Sequence, residues 1–297
     1  MVSAGRDAKR WPVQIHAKQA LGTERTHCMD QSTTSPRIAK TAAGRGTAPY
    51  FKQIASNSQR LVQPNLVAIY REVSAPRVKT EQVGTGFLVA HRGRRVLITA
   101  KHTLYGHDDD EDPGDKAIMA AGALTKIRNL RSPDIFPDVR YDIAGLFVDE
   151  FDSRECFQSS CICANDAPPK LVSIHGYLAR DFHLNKREEL LRPAPLIYTN
   201  SWKAYGAGYV GLRYPIGRNR NTSSGEKVAA PLPRGMSGCP MLVGEKLAVN
   251  QVDIIGVFTD YHREEGAAFG ESSRKIVELL EAMKGAPAPH RGDLAPG

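Results

Sequence analysis

Residues 233–241 read PRGMSGCPM and place Ser237 in a glycine-flanked turn directly before the apolar run CPMLV. A serine hydroxyl is a poor nucleophile at neutral pH, so a catalytic serine needs a base within hydrogen-bond reach. Glycine at position 235 permits backbone angles that a side-chain residue resists. A tight turn of this kind can aim the N–H groups of Gly235 and Ser237 at one position. The segment therefore predicts a nucleophile beside an oxyanion hole.

Two upstream segments supply the partners that such a serine needs. LITAKHTL, residues 97–104, places His102 just after a strand, and YDIAGLFVD, residues 141–149, places Asp142 at the start of one. Histidine titrates near neutrality, so it can take a proton from serine and return it to a leaving group. A carboxylate holds the imidazole in one tautomer. We therefore predict Ser237 as nucleophile, His102 as general base and then acid, and Asp142 as the orienting group.

Other residues of the same types compete for these roles. Two aspartates lie close to the predicted acid in the sequence, namely Asp138 and Asp149. Three further histidines are His91, His107 and His175, and no comparable motif surrounds them. The segment DIAGLFV favours Asp142 over its two neighbours.

Short β-branched or aromatic runs, bounded by Gly, Pro, Asn or Asp, recur along the chain from about residue 64. Many short strands separated by turn signals predict an all-β fold, a sandwich or a barrel. One helix is predicted near the end, over SSRKIVELLEAMKG at 272–285. Its apolar residues on one face are Ile276, Leu279, Leu280 and Met283, with Ser272 or Ser273 at the start and Gly285 at the end.

The three segments together resemble the signatures of the trypsin-like (chymotrypsin-fold) serine peptidases. TAKH resembles the family's T-A-A-H, DIAGLFV its D-I-A-L-L-x-V, and GMSGCP its G-D-S-G-G-P. GTGFLV resembles G-x-G-F-x-V/I, and DIIGVFTDY resembles the strand beside the primary specificity pocket. The order His, Asp, Ser also matches, with intervals of 40 and 95 residues. The resemblance covers about residues 62–285.

This resemblance implies two six-stranded Greek-key barrels with the site between them. It places an N-terminal barrel at about 61–155, a C-terminal barrel at about 168–270 and the helix at 272–285. The implied reaction is peptide-bond hydrolysis through an acyl-enzyme, with a protein or peptide substrate and no cofactor. The implied oxyanion hole is formed by the N–H groups of Gly235 and Ser237.

Three residues depart from the family pattern. Met236 stands where animal digestive members carry an aspartate that pairs with a newly cleaved N-terminus, so the resemblance is to bacterial-type members made in active form. Cys239 replaces the second glycine of the serine motif. Lys101 precedes His102 where a small residue is more usual.

The resemblance also places the primary specificity pocket. Its expected lining is Pro231, Leu232, Phe258, Thr259, Asp260 and Tyr261, together with residues near Gly266 and Ala267. In members that prefer Lys or Arg, an aspartate lies about six residues before the serine, where this chain has Pro231. A buried cation without a counter-charge is strongly disfavoured. We therefore expect a preference for small or medium apolar residues, with Asp260 as the residue that could instead recruit a basic side chain.

Composition limits the remaining classes. The 297 residues carry a formal charge of +8 and are 41% hydrophobic, as in ordinary globular proteins. Much of the excess charge lies in residues 1–60, which we expect to be a disordered or loosely attached basic arm in which residues 50–60 could form a short helix. We expect the tail at 286–297 to be disordered as well. The chain start has no apolar block after its charges, which favours the cytoplasm. The sequence contains no run of about 18 apolar residues, so it does not predict a membrane-spanning helix.

Metal sites are not favoured by the sequence. The acidic run DDDEDPGD at 108–115 does not have the spacing of a standard calcium loop, which favours a solvated surface loop. CFQSSCIC contains Cys156, Cys161 and Cys163 but no fourth ligand at zinc-site spacing, which favours free or reversibly paired thiols.

Two other functions are left open by the sequence. The first is a catalytically silent binding module on the same fold, which the substitutions at Lys101 and Cys239 would allow. The second is a nucleic-acid-binding protein that uses the basic arm, although no basic stripe interleaved with aromatic residues supports it. The oligomeric state is not predicted.

Overall fold

The computed structural model describes residues 48–73, 79–120, 123–130, 135–138, 140–148, 155–163, 167–179, 195–205, 208–217, 219–220 and 227–283. Residues 1–47 of the arm predicted at 1–60, and the tail predicted at 286–297, lie outside these residues.

The first half of the described chain forms one eight-stranded sheet. Its strands are β1 (Leu66–Val73), β2 (Lys79–His91), β3 (Arg94–Thr99), β4 (Lys116–Ala120), β5 (Ala123–Lys126), β6 (Ile135–Pro137), β7 (Ala144–Phe147) and β8 (Phe157–Gln158). They are ordered β5-β4-β1-β2-β3-β7-β6, and β8 pairs with β2 in parallel. All other neighbours are antiparallel.

The β2–β3 hairpin forms where the sequence predicts it. Arg92 and Gly93 lie in the turn with φ of 51° and 77°, and two positive φ values match the right-handed twist of the flanking strands. The register pairs His91 with Arg94 and Gly86 with Thr99. This hairpin delivers the chain to the segment that carries His102.

The second half forms a closed barrel. Its strands are β9 (Leu171–Tyr177), β10 (Pro195–Tyr205), β11 (Tyr209–Arg213), β14 (Pro240–Val243), β15 (Ile254–His262) and β16 (Ala267–Ser272), while β12 (Asn219–Arg220) and β13 (Lys227–Val228) pair only with each other. The closed order is β9-β10-β11-β16-β15-β14. Closure removes the sheet edges, and buried apolar side chains from all six strands fill the interior.

The first unit is the sheet formed by β1–β8, and the second unit is the barrel formed by β9–β11 and β14–β16. The all-β class with two successive β units, predicted from the sequence, is confirmed, with one difference in the first unit. The second unit is the expected six-stranded barrel. The first unit is an open eight-stranded sheet among the described residues, because its edge strands β5 and β6, of four and three residues, do not pair with each other. Its last strand, β8, ends at Gln158, slightly beyond the predicted boundary at 155.

The folded part begins earlier than the predicted boundary at residue 61. Helix α1 (Ala48–Leu61) buries Ile54, Asn57 and Ser58. Asn57 donates from Nδ2 to the carbonyl of Leu247 at 2.7 Å, in helix α3 (Gly244–Ala248). The last part of the expected basic arm is therefore a helix packed on the second unit, because its apolar face is covered there.

Two further helices lie near the site. Helix α2 (Lys101–Tyr105) occupies five residues where the sequence predicts a turn, and α4 (Ser273–Ala282) is the predicted C-terminal helix. The apolar face predicted for α4 is buried, at Ile276, Leu279, Leu280 and Met283. Ser272 is at its N-cap position without a side-chain capping bond.

Within the described ranges, the helices are all too short or too polar to cross a membrane.

Candidate active site

Strand β3 and helix α2 fix the position of His102. The strand ends at Thr99, and α2 begins two residues later, so His102 lies in the first turn of the helix. Gly106 ends the helix with φ of 77°, and its N–H donates to the His102 carbonyl at 2.9 Å. The chain then folds back toward the histidine.

Asp142 binds His102 at two points. Its Oδ2 lies 2.6 Å from His102 Nδ1, and its Oδ1 accepts from the His102 backbone N–H at 2.9 Å. The Asp142 N–H in turn donates to Oε1 of Glu271, from β16, at 3.2 Å. Burial alone would raise the pKa of Asp142, but the hydrogen bonds and charge of His102 outweigh it and lower that pKa. The carboxylate therefore stays ionised and holds the ring with Nδ1 as the donor.

The competing residues have other partners. Asp138 is bound to Arg140, through the Arg140 N–H at 2.8 Å and its guanidinium at 3.4 Å. Asp149 lies outside the described residues. His175 is buried within the second unit, with Nε2 2.7 Å from Ser173 Oγ.

His107 lies beside His102, which the sequence does not predict. The two rings are stacked, with centroids 4.6 Å apart and planes at 10°. The only local signal is Gly106, which marks the helix end in KHTLYGH and turns the chain back. The electrostatic interaction with the His107 imidazole also lowers the pKa of Asp142.

The Ser237 turn has the backbone that its glycines predict. Gly235 and Gly238 have φ of 81° and 90°. A Cβ at position 235 would lie 2.4 Å from the Ala179 nitrogen, and one at 238 would lie 2.1 Å from the Thr85 carbonyl oxygen. Only glycine fits at both positions.

Some backbone N–H groups of this turn donate hydrogen bonds to described residues and others do not. Those of Met236, Gly238 and Cys239 donate within the protein, to the carbonyls of Pro233, Phe258 and Met236 respectively. Those of Gly235 and Ser237 donate to no acceptor among the described residues. These two are the pair that the sequence assigns to an oxyanion hole.

The Ser237 hydroxyl bonds to the second unit rather than to His102. Within the described part of the chain it donates to the Thr259 carbonyl at 3.4 Å and not to His102. Thr259 lines a cleft of about 380 Å³ together with His102 and Asp142. Thr103, the residue after His102, donates to the Ser237 carbonyl at 3.4 Å. His102 and Asp142 thus line one cleft with Thr259, and Ser237 is connected to that cleft through its hydrogen bond to the Thr259 carbonyl. Catalytic hydrogen bonds between a serine and its base often form only with substrate present.

Of the three departures from the family pattern, two are buried and one, Lys101, lines this cleft. Met236 and Cys239 are fully buried in the second barrel. Cys239 packs where a Cβ on Gly176 would lie 2.8 Å from its own Cβ, and burial raises the pKa of its thiol. Lys101 pairs with Asp109 at 2.6 Å.

The predicted pocket residues lie on two segments, one at Pro231 and Leu232 and one at Phe258–Tyr261. Both segments contact Tyr214, a residue that the sequence does not single out. Tyr214, fully buried after β11, donates from its hydroxyl to the Pro231 carbonyl at 2.8 Å. Its ring contacts that of Tyr261 edge to face, at 5.4 Å between centroids. Leu232 is exposed, whereas Phe258 is buried in the barrel core.

Asp260 is exposed on the cleft side of its strand. Its Oδ2 lies 2.9 Å from His262 Nε2, and its Oδ1 accepts from the Tyr261 N–H at 2.6 Å. Two of the predicted lining residues, Pro231 and Tyr261, thus contact Tyr214, and the carboxylate of Asp260 is bonded to His262.

The acidic run is a loop of ion pairs. Asp112 and Asp115 pair with Arg128, and Glu111 pairs with Arg71 and with the buried Lys116. Across the described ranges, three or more His, Cys, Asp or Glu side chains never group so as to hold a metal ion. The four cysteines described, Cys156, Cys161, Cys163 and Cys239, are free thiols.

No family model matches the chain, and no curated protein matches it. Among solved structures, a Glu endopeptidase is similar at 15% identity and a TM-score of 0.45, over 77% of this chain and 94% of that one. A serine endoprotease from Yersinia pestis is similar at 16% and 0.47, over 77% and 65%. The Rv3671c protease from M. tuberculosis, in its active form, is similar at 17% and 0.46, over 89% and 96%. On the strand order and closed barrel described above, this chain has a two-unit, chymotrypsin-like fold.

Proposed function

We propose that the protein is a serine endopeptidase that uses His102, Asp142 and Ser237. The observation that carries the proposal is the double contact of Asp142 with the ring and backbone of His102, at 2.6 and 2.9 Å, beside the Ser237 turn. A histidine held in this way has Nε2 as its acceptor, facing the cleft that Thr259 also lines.

The proposed reaction begins with Ser237 Oγ attacking the carbonyl carbon of the scissile bond while His102 Nε2 takes the hydroxyl proton. The carbonyl π electrons move to oxygen, and the N–H groups of Gly235 and Ser237 stabilise that charge. The Asp142 carboxylate stabilises the imidazolium. His102 then protonates the leaving amine as the C–N bond breaks, and water repeats the sequence on the acyl-enzyme.

The proposed substrate is a protein or peptide with a small or medium apolar residue before the scissile bond. Two sets of contacts and one feature of the sequence support this preference. Tyr214 fills the space between Pro231 and Tyr261, no acidic residue lies at Pro231, and Asp260 is bonded to His262. A basic side chain would therefore enter the pocket without a buried counter-charge.

A second candidate is a catalytically silent binding module on this fold. It is favoured by one observation, the bond from the Ser237 hydroxyl to the Thr259 carbonyl in place of a bond to His102. A module of this kind would bind peptides in the same cleft without cleaving them.

A cleavage screen on a diverse peptide library separates the two candidates. We expect wild-type protein to cut after small or medium apolar residues and Ser237→Ala to lose hydrolysis while keeping its fold, because the change removes only the nucleophile from a half-buried turn. Binding without cleavage by both proteins would support the silent module. Cleavage mainly after Lys or Arg would refute the apolar pocket, and Asp260→Asn would then show whether that carboxylate is the counter-charge.

A further inference from the structure

Strand β2 of the first unit contacts the Ser237 turn of the second unit through Thr85. The Thr85 N–H donates to the Ser237 carbonyl at 2.9 Å, and its hydroxyl donates to the Gly235 carbonyl at 2.8 Å. The same hydroxyl accepts from the Tyr177 N–H at 2.9 Å, which fixes its proton toward Gly235. Thr85 is fully buried. One residue thus holds both ends of the three-residue turn.

Gln82 reaches the same carbonyl. Its Nε2 lies 3.3 Å from the Gly235 oxygen and 2.9 Å from the Tyr177 oxygen, and the side chain is 1% exposed. The amide orientation is determined by these neighbours, because each is a carbonyl oxygen that accepts and cannot donate. The Gly235 carbonyl therefore receives two hydrogen bonds from the first unit.

A bulge in β2 places these two side chains together. Residues 82 and 85 differ by an odd number and would face opposite sides of a regular strand. The β1–β2 register pairs Ile69 with Gly84 and then Tyr70 with Gln82, so Val83 is an extra residue. One inserted residue restores a common face, which is how bulges re-aim side chains next to functional sites.

The remaining carbonyls of the turn are also held. The Arg234 carbonyl accepts from the Ala179 N–H at 2.7 Å, and the Met236 carbonyl accepts from the Cys239 N–H at 2.9 Å. Each peptide plane is rigid, so anchoring a carbonyl sets the direction of the N–H in the same plane. Freeing the Gly235 carbonyl would leave the middle peptide held only by the bond from its Met236 N–H to the Pro233 carbonyl at 3.1 Å, and its rotation would change the angle between the two outer peptides.

We infer that Thr85 and Gln82 are positioning residues, which keep the Gly235 and Ser237 N–H groups aimed at one point. The inference rests on the proposed function, since that point is where the oxyanion would lie. The precision of the oxyanion hole in the second unit is then set by a bulged strand of the first unit.

The test compares Thr85→Val, which removes only the hydroxyl, with Thr85→Ser, which keeps it. Thr80→Val is the matched control, because Thr80 is also buried on β2 and its side chain has no described contact with the turn. Turnover is measured per active site titrated, so that unfolded protein does not count. If Thr85→Val does not fold, Gln82→Met removes the other bond to Gly235 and replaces it in the test.

Losing a direct oxyanion donor costs about 100- to 1,000-fold in kcat, so an indirect loss should be smaller. We expect Thr85→Val to lower kcat about 10- to 100-fold with KM changed by less than about 3-fold, because the oxyanion forms only in the transition state. A peptide aldehyde, whose hemiacetal oxygen enters the hole, should lose affinity in proportion. Thr85→Ser and Thr80→Val should stay near wild type.

The inference is overturned if Thr85→Val keeps wild-type kcat and aldehyde affinity, or if Thr80→Val loses as much. It is also overturned if KM rises while kcat is unchanged. If wild-type protein has no turnover, the proposed function fails by itself, and hydrogen exchange of the peptide 233–239 then decides the inference. That exchange should quicken in Thr85→Val and not in Thr80→Val, and equal exchange in both would contradict the role of Thr85.

Discussion

At the scale of single residues, Asp142 is the group that orients His102. It binds His102 through ring and backbone and is itself held by Glu271 from the second unit. Its pKa is lowered, burial being outweighed by the bonds to His102. It therefore remains a carboxylate at neutral pH and accepts a hydrogen bond from the Nδ1–H group of His102.

Replacing the Asp142 carboxylate by an amide should cause a large loss of activity. Asp142→Asn keeps the size of the side chain but allows its NH₂ to face Nδ1, which favours the wrong histidine tautomer. We expect turnover to fall by roughly 10⁴-fold, as in the trypsin-like template. The assay is steady-state peptide hydrolysis.

Asp138→Asn is the control for this change, because Asp138 is bound to Arg140 rather than to His102. It should retain most of the activity. A loss in Asp138→Asn equal to that in Asp142→Asn would show that the wrong acid has been assigned.

Sequence motifs reveal a site residue when its immediate neighbours along the chain are restricted too. His102, Asp142 and the Ser237 turn could be predicted because each lies in a segment whose neighbours are constrained by the same strand or turn. His107 and Gln82 could not, because their roles depend on where the chain returns after Gly106 and on a one-residue bulge. Neither leaves a periodic signal.

At the scale of elements, α1 and β9 meet at a buried histidine. His175 on β9 is 1% exposed, and its Nε2 lies 2.7 Å from Ser173 Oγ and 3.4 Å from Ser58 Oγ of α1. The Ser58 hydroxyl donates to the Ile54 carbonyl at 2.6 Å, so it can bind the ring only as an acceptor. Burial lowers the pKa of His175 to about 3, and the junction is built for a neutral imidazole.

This junction predicts a loss of stability in acid. Between its ordinary pKa and about 3, His175 is protonated when unfolded and neutral when folded, so the unfolded state binds the extra proton. The free energy of unfolding should therefore fall as the pH drops below about 6.5, by about 1 kcal/mol per pH unit from this group. Urea unfolding of wild type and His175→Gln between pH 7.5 and 4.5 measures it.

The difference in unfolding free energy between the two proteins isolates His175 from other titrating groups such as His262. Burial lowers the pKa of His262, but its bonds to Glu265 and Asp260 outweigh burial and raise that pKa. The variant should be less stable at neutral pH but show a flatter pH dependence. Parallel curves for both proteins would mean that His175 does not carry the effect.

Element boundaries were predictable where a turn signal and an apolar run coincide, as at Gly93 and at α4. Helix α1 was not, because its burial depends on the surface of β9 and α3, which lie far away in the sequence. Polar residues such as Asn57 and Ser58 make such a segment read as part of a solvated arm, although both are buried against carbonyl and imidazole partners.

At the scale of the whole molecule, hydrogen bonds from the first unit organise the second. Thr85 and Gln82 bind the Ser237 turn, and Glu271 of the second unit binds the Asp142 N–H of the first. Neither unit therefore forms the site alone. The class of fold was predictable from strand spacing, but the opening of the first sheet was not, since short edge strands such as β6 give too few residues to set a pattern.

Labelling with a fluorophosphonate tests the central claim most directly, because that reagent reacts with a serine only when a base activates it and an oxyanion hole receives the phosphoryl oxygen. We predict stoichiometric labelling of wild-type protein, with mass spectrometry placing the adduct on Ser237. Labelling should be lost in Ser237→Ala and strongly slowed in His102→Ala, whereas Thr80→Val should react like wild type. Folded wild-type protein that stays unlabelled, or that carries the label equally in Ser237→Ala, would contradict the account.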